Sequence, residues 1–220
     1  MKRFFLIGFL IVGNTACSSD ELNVHKVETK STQKHEKNLN LSLEDKTIIQ
    51  KYKNTIKNFD LTDREKSDKI MKENLSEIKK IKNDHERQKI EMQIYLATDM
   101  YQEAYNLNSK MLKDSFSQAG LVTQCELSYF AKRPKDEYEK CYADLALMLE
   151  SELKITPKND PEYIYGEWGY LISMYKSGQH EYKNKIEKFI NSTKDETMKF
   201  QFKSSYDLAK EQKESYENSK

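Results

Sequence analysis

The sequence contains few of the residues that interrupt helices or build tight turns. Its 220 residues include only three prolines and six glycines. β-Hairpins need turn residues at short, regular intervals, so this scarcity argues against an all-β fold. Charged residues make up 33% of the chain and hydrophobic residues 37%, a composition typical of amphipathic helices with charged outer faces. We therefore predict an all-α fold.

An excess of positive charge is also missing. The chain has 37 lysines and arginines against 36 aspartates and glutamates, for a formal net charge of +1 at pH 7. Binding to nucleic acid depends on neutralising many phosphates with a basic surface. We therefore predict that no nucleic acid is a partner of this protein.

Motifs that carry catalysis or metal binding are equally scarce. No serine lies in a Gly-x-Ser-x-Gly elbow, the glycines are too scattered for a phosphate-binding loop, and no two of the four histidines are spaced i, i+4. We predict no catalytic residue, no metal and no cofactor. The enzymatic alternative is a helical cell-wall hydrolase, for which Glu167, beside Trp168, is the candidate acid.

The amino terminus has the layout of a secretory signal peptide. Two cations at residues 2 and 3 precede an apolar run over residues 4–12, and small residues then lead to Cys17. This order of charged region, short apolar region and small-residue cleavage site directs a protein out of the cytoplasm. The apolar run is shorter than the roughly 20 residues that a transmembrane helix requires.

The tripeptide Thr15-Ala16-Cys17 resembles the end of a lipobox, the cleavage site of bacterial lipoproteins. The resemblance implies that residues 1–16 are removed, that Cys17 is acylated with palmitate-like chains, and that these chains anchor the protein in the membrane. By the same analogy Ser18 favours the outer membrane, with the protein facing the periplasm. An ordinary secretory signal with a chance cysteine is the alternative.

Residues 17–40 are rich in Lys, Glu, Ser and Thr and show no apolar period. Such a composition cannot bury a core, so we predict a disordered tether with an end-to-end distance of about 25 Å. From residue 41 onward apolar residues recur every three or four positions, the spacing of one helix face. The predicted organisation is thus a signal peptide over 1–16, a lipidated tether over 17–40 and a single all-helical domain over 41–216.

Breaks between helices are predicted from caps, prolines and glycines. Thr62 with Glu65, and Thr193 with Glu196, have the spacing of capping boxes. Asp99 is a predicted cap, and the polar chain beyond Lys210 is expected to fray. Further breaks are predicted at Pro134, over residues 156–161 and at Gly178.

Two segments resemble parts of a tetratricopeptide repeat, a helix pair that stacks on its neighbours. They are Trp168-x-x-Leu171-x-x-x-Tyr175 with the glycine turn and Tyr182 that follow it, and Tyr101-Gln102-Glu103-Ala104. The resemblance implies antiparallel helix pairs stacked as a solenoid, with a concave surface that binds peptides or helices. An irregular helical bundle is the alternative.

A second aromatic stripe lies on the helix that contains Trp168. Tyr163, Tyr170 and Met174 gather about a third of a turn from the main apolar face. Tyrosine and methionine are enriched in interfaces, so we predict that these three residues bind a protein partner. The alternative is that the stripe packs against the preceding helix pair.

Cys125 and Cys141 are predicted to form a disulfide. They lie at equal distances on either side of the turn over residues 131–136, so two antiparallel helices would place them side by side. A secreted protein reaches a compartment in which such pairs are oxidised. Two buried free thiols are the alternative.

Taken together, these patterns predict an envelope-anchored lipoprotein whose helical domain binds a protein partner. One form of this function is a scaffold or assembly factor for envelope machinery. A second is an immunity protein that neutralises a toxin in the periplasm. The cell-wall hydrolase is the alternative from the class of enzymes.

Lipidation gives the first testable prediction. Labelled palmitate should enter the wild-type chain and not the Cys17→Ala variant, because the thiol is the site of the predicted thioether-linked lipid. The measurement is autoradiography of the immunoprecipitated protein, with Cys125→Ala as the matched cysteine control. A label that persists in Cys17→Ala would contradict the lipobox interpretation.

Overall fold

A computed structural model describes residues 41–57 and 63–217. The predicted signal peptide, Cys17 and the predicted tether all lie outside the described residues. In the described part every regular element is an α-helix, and there are nine. They are α1 (Leu43–Lys57), α2 (Arg64–Ile78), α3 (Asp84–Ala97), α4 (Tyr101–Asp114), α5 (Gln118–Phe130), α6 (Lys135–Ile155), α7 (Tyr163–Lys176), α8 (Tyr182–Ser192) and α9 (Glu196–Glu217).

Each helix packs against the one that follows it, and α9 also packs against α7. The chain is therefore an all-helical, repeat-like stack, as the periodicity predicts. Short turns join most of the helices, and three of these turns contain a residue with a left-handed backbone, namely Asp99, Lys132 and Gly178. Gly178, for example, ends the turn after α7 with a φ of +96°, a conformation that glycine adopts without steric cost.

Over the described residues, the apolar core is divided into four clusters along this stack. Each cluster joins neighbouring helices, so burial is distributed over the stack instead of being concentrated in one centre. The buried members are Ile49, Tyr52, Ile78, Ile81, Ile90 and Ile94 in the first cluster; Tyr95, Ala104 and Leu127 in the second; Cys125, Tyr138, Tyr142, Leu145 and Leu149 in the third; and Trp168, Leu171, Tyr175, Tyr182, Ile186, Ile190, Phe202, Tyr206 and Ala209 in the fourth.

Glycines let α6 and α7 approach each other closely. A Cβ atom placed on Gly166 would lie 3.2 Å from Leu153 Cδ2, and one on Gly169 would lie 3.4 Å from Leu149 Cδ1. The leucines of α6 thus fill the space that side chains on this face of α7 would occupy.

At both predicted capping boxes, an aspartate side chain makes the capping hydrogen bond. The N-cap of α2 is Asp63, whose carboxylate accepts a hydrogen bond from the Lys66 amide at 3.0 Å; Thr62 itself lies outside the described residues. At α9, Asp195 accepts from the Met198 amide at 2.8 Å, whereas the Thr193 hydroxyl donates to the last turn of α8. A carboxylate also interacts favourably with the positive end of the helix dipole, and this favours aspartate at both sites.

The prediction that Asp99 caps α4 is wrong. Asp99 adopts a left-handed conformation with a φ of +55°, and Met100 occupies the N-cap position without a side-chain cap. The Asp99 carboxylate instead accepts hydrogen bonds from Arg64 and Tyr101. It therefore links the start of α2 to the turn before α4.

The expectation that the chain frays beyond Lys210 is also wrong. α9 continues to Glu217, and Gln212 and Lys213 are buried at 1% and 7% relative exposure. These polar residues lie inward because they continue the face that carries Phe202 and Ala209.

The structure contains a disulfide between Cys125 on α5 and Cys141 on α6, with their Cα atoms 5.4 Å apart. Cys125 is fully buried. The bridge spans 16 residues and encloses the turn between the two helices. It therefore holds these antiparallel helices at one register.

We predict that removal of this bridge lowers stability without changing the fold. The Cys125→Ala/Cys141→Ala variant should lose about 3 kcal/mol of unfolding free energy, because a loop of this length is no longer closed in the unfolded chain. Urea denaturation followed by circular dichroism measures the loss. Mass spectrometry of the non-reduced protein should find the two cysteine peptides linked, and alkylation of both thiols without prior reduction would contradict the assignment.

Candidate functional site: a polar cluster between four helices

A group of polar side chains meets where α5, α6, α7 and α9 converge. Its members are Glu126, Tyr142, Lys176 and Gln212, one from each helix, and we refer to them as the polar cluster. The cluster lies next to the disulfide, since Glu126 follows Cys125 and Tyr142 follows Cys141.

Glu126 is the centre of the cluster. Its Oε1 accepts hydrogen bonds from the Tyr142 hydroxyl at 2.5 Å and from Lys176 Nζ at 2.7 Å. Its Oε2 accepts a longer bond from Gln212 Nε2 at 3.4 Å. One carboxylate therefore links α5 to three other helices.

Lys176 is the most enclosed charge in the cluster, with 6% of its side chain exposed against 32% for Glu126. Its ammonium also donates to the Tyr142 hydroxyl at 2.9 Å and lies 4.6 Å from the centre of the Tyr142 ring. A buried ammonium is tolerated when it is paired and hydrogen-bonded. Lys176 has both kinds of partner.

The electrostatics of the cluster favour an ion pair and a neutral phenol. Burial alone would raise the pKa of Glu126, but the charge of Lys176 and the hydrogen bonds from Lys176, Tyr142 and Gln212 outweigh it, so this pKa is lowered. Burial, together with the negative charge of Glu126, raises the pKa of Tyr142 well above its usual value. At neutral pH the carboxyl is ionised and the phenol keeps its proton.

The disulfide and the polar cluster depend on the same helix register. Glu126 directly follows Cys125, and Tyr142 directly follows Cys141. The bridge therefore lies within one residue of the hydrogen bond between the Glu126 carboxylate and the Tyr142 hydroxyl. By fixing α5 against α6, the bridge restrains both partners of this bond.

The predicted binding stripe on α7 is only half-exposed. Tyr170 and Met174 pack against the cluster around Trp168, and the Tyr170 hydroxyl shares a hydrogen bond of 2.9 Å with the Tyr182 hydroxyl. This bond and burial raise the pKa of Tyr170 to about 12. Tyr163, the first residue of α7, is half-buried. Packing explains much of the position of Tyr170 and Met174, while their predicted role in binding stays a prediction.

The aromatic residue that α7 exposes most is Tyr165, with 51% relative exposure. Its ring meets that of Phe202 edge-on at 6.0 Å. Tyr165 lies at the edge of the main apolar face of α7, about 60° from Trp168 on a helical wheel, so the apolar spacing alone does not mark it as exposed.

Sequence reasoning missed the polar cluster itself. Lys176, which lies two residues before the break predicted at Gly178, is the last residue of α7 and is buried. Its spacing of four from Ile172, a member of the apolar stripe, could have indicated an inward position. Gln212 was missed for a similar reason, since it follows Ala209 by three residues.

Comparison of this chain with models of protein families, with curated proteins and with solved structures found no match. Over the part of the chain that the structure describes, no helix has the length and apolar character needed to cross a membrane. No group of three or more potential metal ligands occurs among the same residues.

We predict that loss of the Glu126 carboxylate destabilises the fold. Breaking a fully buried pair costs about 3–5 kcal/mol, and the partial exposure of Glu126 reduces our expectation for Glu126→Ala to about 2 kcal/mol. The pKa of Glu126 is lower in the folded protein than its ordinary value. The ionised carboxylate therefore stabilises the fold at pH values above the unfolded-state pKa, and this stabilisation is lost as the pH falls through the folded-state pKa. The wild type should therefore lose more stability than Glu126→Gln between about pH 5 and about pH 3.

Urea denaturation of both proteins over this pH range measures the effect. Lys154→Met is the matched control, because Lys154 forms an exposed pair with Glu150 and should leave the profile unchanged. Parallel pH profiles for the wild type and Glu126→Gln would show that the cluster does not contribute in this way.

Proposed function

We propose that this chain is a lipoprotein of the bacterial envelope whose helical domain binds a protein partner as a scaffold or assembly factor. The lipid would be attached at Cys17 and would hold the domain at the outer membrane, facing the periplasm. The amino-terminal pattern of cations, apolar residues and Thr15-Ala16-Cys17 supports this location.

The observation that carries the binding role is the stack of helices, each packed on the next. Stacked helix pairs form extended surfaces that suit the recognition of peptides and helices. The proposal extends this general property to the present chain.

The electrostatics of Glu126 do not suit the general acid that the hydrolase alternative requires. A general acid must carry a proton at its working pH, whereas the pKa of Glu126 is lowered by its contact with Lys176. Glu167, the candidate acid of the hydrolase alternative, is half-buried on α7. Neither residue therefore has the features of a general acid in a substrate cleft.

The amino-terminal end of α7 is the surface that we propose for the partner. Tyr163 is half-buried there and Tyr165 is exposed. Because residues two apart do not face each other on a helix, the two phenol rings lie on different sides of the first turn of α7 and could contact a partner that covers this end of the helix. Tyrosine contributes contact area at a low cost in side-chain entropy. Tyr170 and Met174, which belong to the predicted stripe, lie on the same side of α7 as Tyr163 and would support that residue by packing.

We expect the Tyr163→Ala/Tyr165→Ala variant to capture less partner at unchanged stability. Loss of two aromatic contacts should reduce capture by about tenfold, the effect of about 1.4 kcal/mol. The measurement is quantitative mass spectrometry of proteins captured by the non-lipidated Cys17→Ser chain with and without the two substitutions. Thermal melting should shift by no more than about 2 °C.

Lys188→Ala, on the exposed face of α8, is the matched control and should capture as the wild type does. Equal capture by the tyrosine variant and the wild type would contradict this surface. The captured protein also separates the two forms of the function: an envelope component indicates a scaffold, whereas a secreted toxin indicates an immunity protein.

A further inference from the structure

The last two turns of α9 lie in a groove formed by other helices. The first half of α9 packs on α7 and α8, with Phe202 stacked on Trp168 at 4.8 Å. The second half reaches α5 and α6, where the Tyr216 ring lies 4.7 Å from Tyr138 and 5.7 Å from Tyr129. We call residues 212–217 the tail. The tail groove consists of the residues that the tail contacts on the other helices, namely Glu126, Ser128, Tyr129, Tyr138 and Tyr175.

Two residues of the tail make the polar contacts with α5. Gln212 donates to Glu126 Oε2 at 3.4 Å, and the Tyr216 hydroxyl donates to the Ser128 carbonyl oxygen at 3.2 Å. Because residues four apart lie on one face of a helix, Gln212 and Tyr216 reach the groove together. The groove thus accepts a helix that presents a hydrogen-bond donor and, four residues later, an aromatic ring.

The tail is an imperfect occupant of this groove. Gln212 Oε1 is buried without a hydrogen-bond partner, as is the Tyr138 hydroxyl in the groove wall. The bond from Gln212 to Glu126 is also longer than the 2.7–3.2 Å usual for such bonds. A buried polar atom that lacks a partner weakens the docking of the segment that carries it.

Lys213 adds a further cost to docking of the tail. It is buried at 7% relative exposure, with its ammonium 3.1 Å from His180 Nδ1 and 4.4 Å from the centre of the Tyr175 ring. Burial lowers the pKa of Lys213, which shows that the enclosed site disfavours its charged form.

We propose that the tail groove is the docking site for an amphipathic helix of the protein partner, and that the tail occupies it as a built-in competitor in the free protein. This inference rests on the proposed binding function. The partner helix carries a donor, arginine or glutamine, at the position of Gln212 and an aromatic residue four positions later. Arginine would satisfy the free side of the Glu126 carboxylate better than the amide of Gln212, since a charge-assisted bond is stronger.

Competition between the tail and an outside helix predicts how the affinity of the groove for that helix should change. The affinity for an outside helix is reduced by the fraction of molecules whose groove is open. Substitutions that weaken docking of the tail should therefore strengthen binding of a helix supplied from outside.

The probe is a fluorescein-labelled synthetic peptide with the sequence of residues 205–217, in which glutamine is replaced by arginine at the position of Gln212. Fluorescence anisotropy measures its binding to the full Cys17→Ser chain and to the same chain with Gln212→Ala/Tyr216→Ala. We expect the second protein to bind about tenfold tighter. A peptide with alanine at the position of Tyr216 should bind neither protein.

Glu211→Ala/Glu214→Ala is the matched control. Both glutamates lie on the exposed face of the same two turns, so this variant should bind the probe as the parent chain does. Equal affinity of all three proteins, or undiminished binding of the peptide that lacks the tyrosine, would overturn the proposal.

Hydrogen exchange followed by mass spectrometry supplies a second measurement. Amides of the tail should be protected in the parent chain and should exchange faster when the probe is added, because the probe displaces the tail. If the double variant loses protection in α5–α8, Tyr216→Phe replaces it, since this change removes only the bond to the Ser128 carbonyl and should give an intermediate affinity. A tail that exchanges as fast as the free peptide in the parent chain would overturn the proposal.

The two proposals fail separately. If the probe does not discriminate among the variants while the Cys17→Ser chain still captures a protein, the tail groove is not the docking site and the binding function stands. If no protein is captured but the probe displaces the tail, the groove binds helices and the proposed role in the envelope is wrong.

Discussion

The burial of Lys176 is the constraint on which the arrangement of α5, α6, α7 and α9 depends. An ammonium enclosed between helices needs a carboxylate within hydrogen-bond distance, and Glu126 supplies it from 50 residues earlier in the chain. The Tyr142 hydroxyl contacts both of them. A shift of α7 along α6 would separate the pair and leave a charge without its partner. Apolar contacts between leucines tolerate such a shift far better, so the polar cluster specifies the register of the stack.

The helices themselves could be predicted because their cause is local. Apolar residues spaced by three and four, and the scarcity of proline and glycine, are sufficient to indicate an amphipathic helix. The position of Cys125 opposite Cys141 follows from the same logic, since two antiparallel helices around one turn place equidistant residues side by side. Where two candidate caps compete, as Thr193 and Asp195 do, the choice depends on backbone geometry at the helix start. Spacing alone does not determine that geometry.

The candidate site could not be predicted as fully, because polar residues on an amphipathic helix are expected to lie on its solvent-exposed face. Gln212 and Lys213 have the spacing of core positions, but their chemistry suggested solvent. Their burial becomes understandable only once α5 supplies Glu126, α7 supplies the Tyr175 ring and the turn after α7 supplies His180. Such contacts join residues far apart in the sequence, 86 residues apart for Gln212 and Glu126. A periodic pattern within one helix carries no information about them.

The return of α9 to α5 gives the two ends of the stack different mechanical properties. From α5 to α9 the helices form a closed circuit: the disulfide joins α5 to α6 covalently, and Tyr216 brings the last helix back to Ser128 on α5. In the described part of α1 to α4, each helix is held mainly by its neighbours in sequence. Tension applied at the amino-terminal side would therefore detach α1 to α4 one after another. It would meet its greatest resistance at the covalently joined pair, where unfolding has to break several contacts at once.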